Sequence, residues 1–219
     1  MYGLKTIIQK EFKNFTGSDR SALLIYLVIS VLWSFTLLSY DSGGIDGGLW
    51  LVFFSVIVAA NFSGTVFISE RVSGTLEVLI TSGLSRDAVL FGKMLFVIVM
   101  TSIIGILCAA LAALWGAVIP GVELSRALGA YEAALYLSVT YLNVAASAYF
   151  SVRMGNPRFL HFVNLFMTGF LVGLYSAASG FADLRPSILV LAFLASGALF
   201  TFLARREFAG ERIIRPIIF

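Results

Sequence analysis

Few residues in this chain have types that could do chemistry, and they are badly spaced for it. His161 is the only histidine and Cys108 the only cysteine. A serine–histidine dyad inside a membrane would have to join His161 to Ser176 or Ser179, ten or more residues along the same apolar run. On one helix that separation is about 15 Å or more, far beyond hydrogen-bond reach. Cys108 stands among Ala and Leu, has no second cysteine to pair with and no ligands at metal-binding spacing, so it reads as a small packing residue. A Gly-x-x-x-x-Gly-Lys-Ser/Thr nucleotide loop is absent: Gly92-Lys93 is followed by Met94, and Asp87 stands where the first glycine belongs. The expectation is a chain that is not itself an enzyme and holds no metal or cofactor.

The other polar concentration is a charged, turn-rich segment running from Glu70 to Asp87 and on into Gly92-Lys93, between two strongly apolar runs. Within it Leu76, Leu79 and Ile80 form an i, i+3, i+4 stripe, with Glu77 and Thr81 outside the stripe. Ser73-Gly74 interrupts the helix before the stripe and Gly83 ends the short helix after it. Ser85 has the chemistry of an N-cap for the next helix, and Asp87 falls in its first turn, where the helix dipole favours an acid. Leu84 and Val89 occupy the two positions of a hydrophobic staple. The pattern predicts helix, break, short transverse helix, turn, new helix. A hairpin lying on lipid headgroups is the simpler alternative, but Glu70 and Glu77 would be repelled by an anionic leaflet.

The elements that hold this segment must lie in lipid. The chain is 59% hydrophobic and 12% charged, with mean hydropathy +0.96, against the roughly 25% charged residues of soluble domains. Uncharged runs at about 21–40, 49–69, 94–119, 133–152, 162–182 and 187–204 can each cross a ~30 Å hydrocarbon core as a helix, which puts the expected spans at about 21–40, 49–69, 91–119, 132–152, 161–182 and 187–204. They lack the period-2 alternation of a membrane barrel. The expected architecture is therefore all-α and membrane-integral. It has six transmembrane helices and an N-terminal amphipathic helix over 2–15, in one domain spanning 1–219. In that first helix Leu4, Ile7, Ile8, Phe12 and Phe15 take one face and Lys5, Gln9, Lys10, Lys13 and Asn14 the other, and Gly17-Ser18-Asp19 ends it. No cleavable signal peptide is expected, because the first apolar run is full length and lacks a small-residue cleavage pattern.

Thirteen of the 15 Lys and Arg residues fall on one side of this arrangement, and only Arg126 and Arg185 on the other. The positive-inside rule makes the basic side cytoplasmic, with both termini inside. That bias accounts for the pI near 9.1 without a nucleic-acid partner. Gly105, Ala109, Ala112 and Ala113 give the third run a small-residue side, and Gly169 and Gly173 make a small-xxx-small pair; both read as helix-packing surfaces.

The segment carries a family resemblance. Glu70-Arg71, Gly74-Thr75-Leu76-Glu77, Leu79, Thr81-Ser82, Leu84-Ser85-Arg86 and then Gly92-Lys93 resemble the stretch after the second helix in ABC transporter permeases of the type-2 exporter family. The likeness is dense over about 24 residues, and the elbow-like first helix, six runs and basic tail agree in layout. Gly83 departs from the family pattern, which has proline there; glycine permits the turn but holds it less rigidly. The resemblance implies that 70–87 is a coupling segment docking on a separate ABC ATPase subunit. Glu70, Arg71, Gly74, Thr75, Leu76, Glu77, Leu79, Ile80, Ser85 and Arg86 would be its coupling residues, and ATP and Mg would be bound only in that partner. It implies a half-transporter in the inner (cytoplasmic) membrane, working as a homodimer or with a similar permease.

Two observations bear on this expectation from the residues alone. The uncharged runs hold no Asp, Glu, Lys, Arg or His, so proton or ion coupling through them is disfavoured. The lack of a nucleotide loop places any ATPase in another polypeptide. Alternatives are a haem-export permease of cytochrome c maturation, with similar layout but without the His-rich cluster it would need, and a small channel or scaffold. In the latter, Asn61, Ser63, Thr140, Asn143 and Asn164 would line a path rather than bond between helices. The orientation is checked by cysteine labelling: positions Ser42 and Ser125 should react with an impermeant thiol reagent added outside, and positions Ser73 and Asn156 should not. Labelling at position 73 from outside would invert the topology.

Overall fold

The computed structural model describes residues 2–18, 20–38, 47–68, 83–119, 129–153, 157–180 and 186–209. These form seven helices, and no strand occurs among them. Helix α1 is Tyr2–Ser18, α2 Arg20–Leu38, α3 Gly47–Ser63 continuing as a π-helical turn Gly64–Ile68, α4 Arg86–Val118, α5 Ala130–Arg153, α6 Pro157–Gly180 and α7 Pro186–Ala209. Four apolar stretches are long enough to cross a membrane: Leu49–Phe67, Arg86–Val118, Ala130–Arg153 and Ser187–Phe208. They correspond to the second, third, fourth and sixth runs of the sequence, while α2 and α6 occupy the first and fifth. Helical throughout its described elements, the chain is a multi-pass membrane protein.

Local chemistry explains several boundaries. Pro157 and Pro186 each open a helix, where a missing backbone N–H costs nothing and the fixed φ suits the first turn. Helix α1 runs through Gly17 to Ser18 rather than ending near residue 15, and the Thr16 hydroxyl donates back to the Phe12 carbonyl across that last turn. Helix α4 begins at Arg86, so Lys93, expected in the connection before the third run, lies inside the helix about 10 Å from its start.

The helices pack through two apolar clusters. The larger joins α1, α3, α4 and parts of α5 and α7 around Phe54, Phe62, Val89, Leu90 and Val97. The smaller joins α3, α5, α6 and α7 around Val52, Leu135, Val139, Leu171 and Phe193. Lipid-side faces are left bare, as with Ile106, Leu114 and Val118 on α4 and Leu191, Leu199 and Phe202 on α7. Polar side chains stitch neighbouring helices inside. The Ser55 and Thr140 hydroxyls are 2.7 Å apart between α3 and α5, Tyr136 donates to the Thr101 carbonyl on α4, and Trp115 Nε1 donates to Ser34 Oγ on α2. Thr140 is thus engaged between helices. Exposed Asn61 bonds back to the Ile57 carbonyl of its own helix, while the Asn164 and His161 side chains lie outside the described residues.

Small residues set two of the closest approaches. A Cβ added at Gly105 would stand 2.7 Å from the Tyr136 ring, and one at Gly197 2.6 Å from the Tyr141 ring. Tyr141 has little room to yield, because its hydroxyl is bonded to Thr201 Oγ1 across the α5–α7 contact. Ala112 is buried as expected of the small side of α4. Gly169 and Gly173 meet no such neighbour: nothing among the described residues lies within 4 Å of a Cβ at either. Gly197→Ala should therefore lower thermal stability in detergent by about 1–3 kcal/mol through overpacking. Gly173→Ala, which meets no described residue, should be neutral or add up to ~1 kcal/mol of helix propensity in the unpaired chain.

Candidate functional site

The segment singled out in the sequence leaves α3 and returns at α4. Of its residues, Glu70, Arg71, Gly74, Thr75, Leu76, Glu77, Leu79 and Ile80 lie outside the described residues, as does the Leu76–Leu79–Ile80 stripe. Its return is described, and the local expectations hold there. Ser85 has extended backbone angles (φ −65°, ψ 138°), and its Oγ accepts from the Ala88 amide at 3.2 Å, while Asp87 sits in the first turn. Arg86 is the first helical residue. Both staple residues face the core, Val89 fully buried and Leu84 packed against the larger cluster. Gly83 has φ +80°, the left-handed region in which an L side chain is strained. Proline, locked near −65°, cannot adopt it, so this turn is built differently from one that carries proline there.

Beneath this return lies a buried ionic contact. Lys93 is 0% exposed, and its ammonium donates to Glu11 Oε1 at 3.0 Å and to the Val66 carbonyl at 2.9 Å. Glu11 is 5% exposed on α1; Lys10, nearer the surface, approaches the same oxygen at 3.7 Å. Val66 lies in the π turn that ends α3. A π turn replaces i→i+4 bonds by i→i+5 bonds, a rearrangement that recurs at functional sites in helices. One ammonium thus ties α1, the end of α3 and the start of α4 together. Burying a lone ammonium would be prohibitive, and here two of its three donors go to a carboxylate and a carbonyl.

The glycine before it serves the same junction. A Cβ at Gly92 would stand 2.8 Å from Ile7 Cγ2, so α1 can cross α4 closely enough for Glu11 to reach Lys93 only because residue 92 has no side chain. Gly3 continues the crossing, with Leu84 Cδ2 and Ala88 Cβ at 3.2 and 3.3 Å from its would-be Cβ. Gly92-Lys93 is a helix-crossing glycine followed by a buried tether, a use unrelated to phosphate binding.

A second ionic link closes the junction from the other side. Arg205, near the end of α7, makes a two-pronged contact with Asp87, Nε to Oδ1 at 3.1 Å and Nη2 to Oδ2 at 2.8 Å. Both groups are exposed, so the pair orients α7 against the start of α4 more than it stabilises them. Arg153, at the end of α5, donates to the Tyr149 hydroxyl one turn back.

Sequence reasoning found Ser85, Asp87 and Gly92-Lys93 but not Glu11 or Arg205. Glu11 had a usable signal: with Leu4, Ile7, Ile8 and Phe15 it falls on the apolar stripe of α1, where an acid calls for a buried partner. Arg205 had none, since pairing across 118 residues leaves no local trace.

No protein-family model matches the chain, and no curated protein or solved structure is significantly similar to it.

Truncating either member of the buried pair removes the contact that joins α1 to α4. Lys93→Ala or Glu11→Ala should cost about 3–5 kcal/mol, read as a loss of folded protein on heating in detergent. The double variant Lys93→Met/Glu11→Leu, with neither member of the pair left, should recover most of it. Equal losses for the single and double variants would mean that the pair is not coupled.

Proposed function

We propose that the chain is the membrane-spanning half of an ATP-driven exporter, driven through segment 70–87 by a separate ATPase subunit. The observation that carries the reading is the Lys93 tether. It lies where that segment leaves α3 and re-enters α4, and binds both ends to α1. A force applied to the segment from outside the bilayer would meet a braced unit rather than a loose loop. Such a unit transmits displacement to α3 and α4, which is what an external motor needs. The resemblance of residues 70–93 to the coupling region of type-2 export permeases supplies the identity of that motor.

In this reading α1 is an elbow helix on the inner leaflet, α2 to α7 are six spans, and both termini are cytoplasmic. Leu76, Leu79 and Ile80 form the apolar contact with the ATPase, with Glu70, Arg71 and Glu77 around it. Gly74-Thr75 sets the break before the contact, and Ser85-Arg86 anchors its return. Closure of two ATPases on ATP pushes the braced unit and switches the path between inward and outward access. Six spans are too few to enclose such a path, so two copies or two similar permeases pair. The open Gly169–Gly173 side of α6, flanked by exposed Phe162, Phe166 and Phe170, is a surface suited to that pairing. Thr140 bonded between helices favours packing over a polar channel.

The chain reconstituted alone should hydrolyse no ATP. With the product of an adjacent reading frame carrying a nucleotide loop it should co-purify and support hydrolysis. Leu79→Asp places a charge in the apolar contact, and should abolish transport while leaving the protein in the membrane. Normal assembly and transport by that variant would remove the coupling role, and gradient-driven flux by the isolated chain would remove the ATP-driven one.

A further inference from the structure

At the end of the molecule opposite Lys93, a cavity of about 780 Å³ opens between α3, α4 and α5. Its walls include Leu51 and Phe54 from α3, Gly105 and Ala109 from α4, and Ala133 and Tyr136 from α5. The size falls within the ~300–1,000 Å³ that holds one drug-sized molecule. Its α4 wall is made of small residues: Gly105 lies against the Tyr136 ring, and Ala109 and Ala110, one turn on, are too short to fill the space they line.

The chemistry of the lining is specific. The polar groups inside are already used: Tyr136 donates to the Thr101 carbonyl and Ser102 to the Ile98 carbonyl. The interior therefore offers an occupant hydrocarbon contact and little else. Ile106 and Leu137, which line the cavity and are exposed, put its side opening at the level of lipid chains. Among the described residues Glu132, in the first turn of α5, is the only charged residue of the lining, and it makes no ion pair with any of them.

We propose that this cavity binds a single-chain amphiphile with a cationic head, the chain lying between α4 and α5 and the head at Glu132. The carboxylate sits where a chain entering sideways would leave its head, at the water-facing end of α5. An anionic lipid would bring its charge against it. The volume and the satisfied interior suit one alkyl chain rather than a polar solute. Binding here needs no ATPase subunit, and so stands or falls separately from the transport reading.

The test uses the full chain in phosphatidylcholine nanodiscs and a nitroxide-labelled hexadecyltrimethylammonium, read by electron spin resonance. The wild type should show a motionally restricted component that saturates near one probe per chain. Ala109→Phe and Ala133→Phe fill the cavity from two walls and should remove it; a melting temperature close to the wild type identifies the folded filler on which the result is read. Glu132→Gln should weaken the cation by about threefold or more, the scale of one partly exposed ion pair, and leave a labelled hexadecanol unchanged. A restricted component that survives in a folded filler overturns the site. So does its absence from the wild type, as when a second copy of the chain fills the space. A hexadecyl sulfate probe held as tightly as the cation overturns the assignment of the head.

Discussion

A lysine ammonium with no exposure to solvent has to be met on every side, and that requirement organises one whole end of this protein. Lys93 finds a carboxylate on α1 and a carbonyl in the π turn of α3, so three helices distant in sequence meet at one atom. Each neighbour is shaped to allow it. Gly92 removes the side chain that would hold α1 away, Ile7 fills the groove above it, and the π turn brings the Val66 carbonyl into range. A hydrophobic residue at 93 would pack more cheaply, since buried ion pairs rarely out-compete apolar isosteres. What the pair supplies is geometry: the ammonium meets its carboxylate only when α1 crosses α4 at this one place.

The two ends of the bundle differ accordingly. Around Lys93 the contacts are ionic, directional and reinforced by the Asp87–Arg205 link from α7. Around Ala109 they are apolar, with an unfilled space between α4 and α5. The middle is held by tight Gly–Tyr approaches and by hydroxyls shared between helices, which fix register without filling the far end. A braced end joined to a loosely packed one is a lever arrangement, and the proposed transport cycle uses it: displacement enters where the geometry is unique and is expressed where packing can change.

Much of this was legible in the sequence, for identifiable reasons. Long uncharged runs declare membrane helices because lipid penalises charge one residue at a time, and Ser85, Asp87, Leu84 and Val89 announce the start of α4 because capping is local. The errors came from tertiary partners. Lys93 looked like a loop cation because a lysine beside an apolar run usually is one, and the partners that make its burial tolerable, Glu11 among them, lie on other helices. Gly17 looked like a helix end, yet α1 continues through it because the preceding turns are held against α4. Gly169 and Gly173 looked like packing glycines, but small-residue spacing does not say whether the partner lies in the same chain. The Leu76–Leu79–Ile80 stripe lies outside the described residues, and its role rests on its pattern.

The central claim is that α1, the end of α3 and the start of α4 behave as one body because of Lys93. Pulsed electron spin resonance between nitroxides at the exposed positions Lys13, Asn61 and Leu95, taken in pairs in lipid, measures this most directly. The account predicts narrow distance distributions for all three pairs in the wild-type background, and broad ones for the pairs involving Lys13 once Lys93 is replaced by Met. Broad distributions with Lys93 present, or distributions that Lys93→Met leaves unchanged, would contradict it.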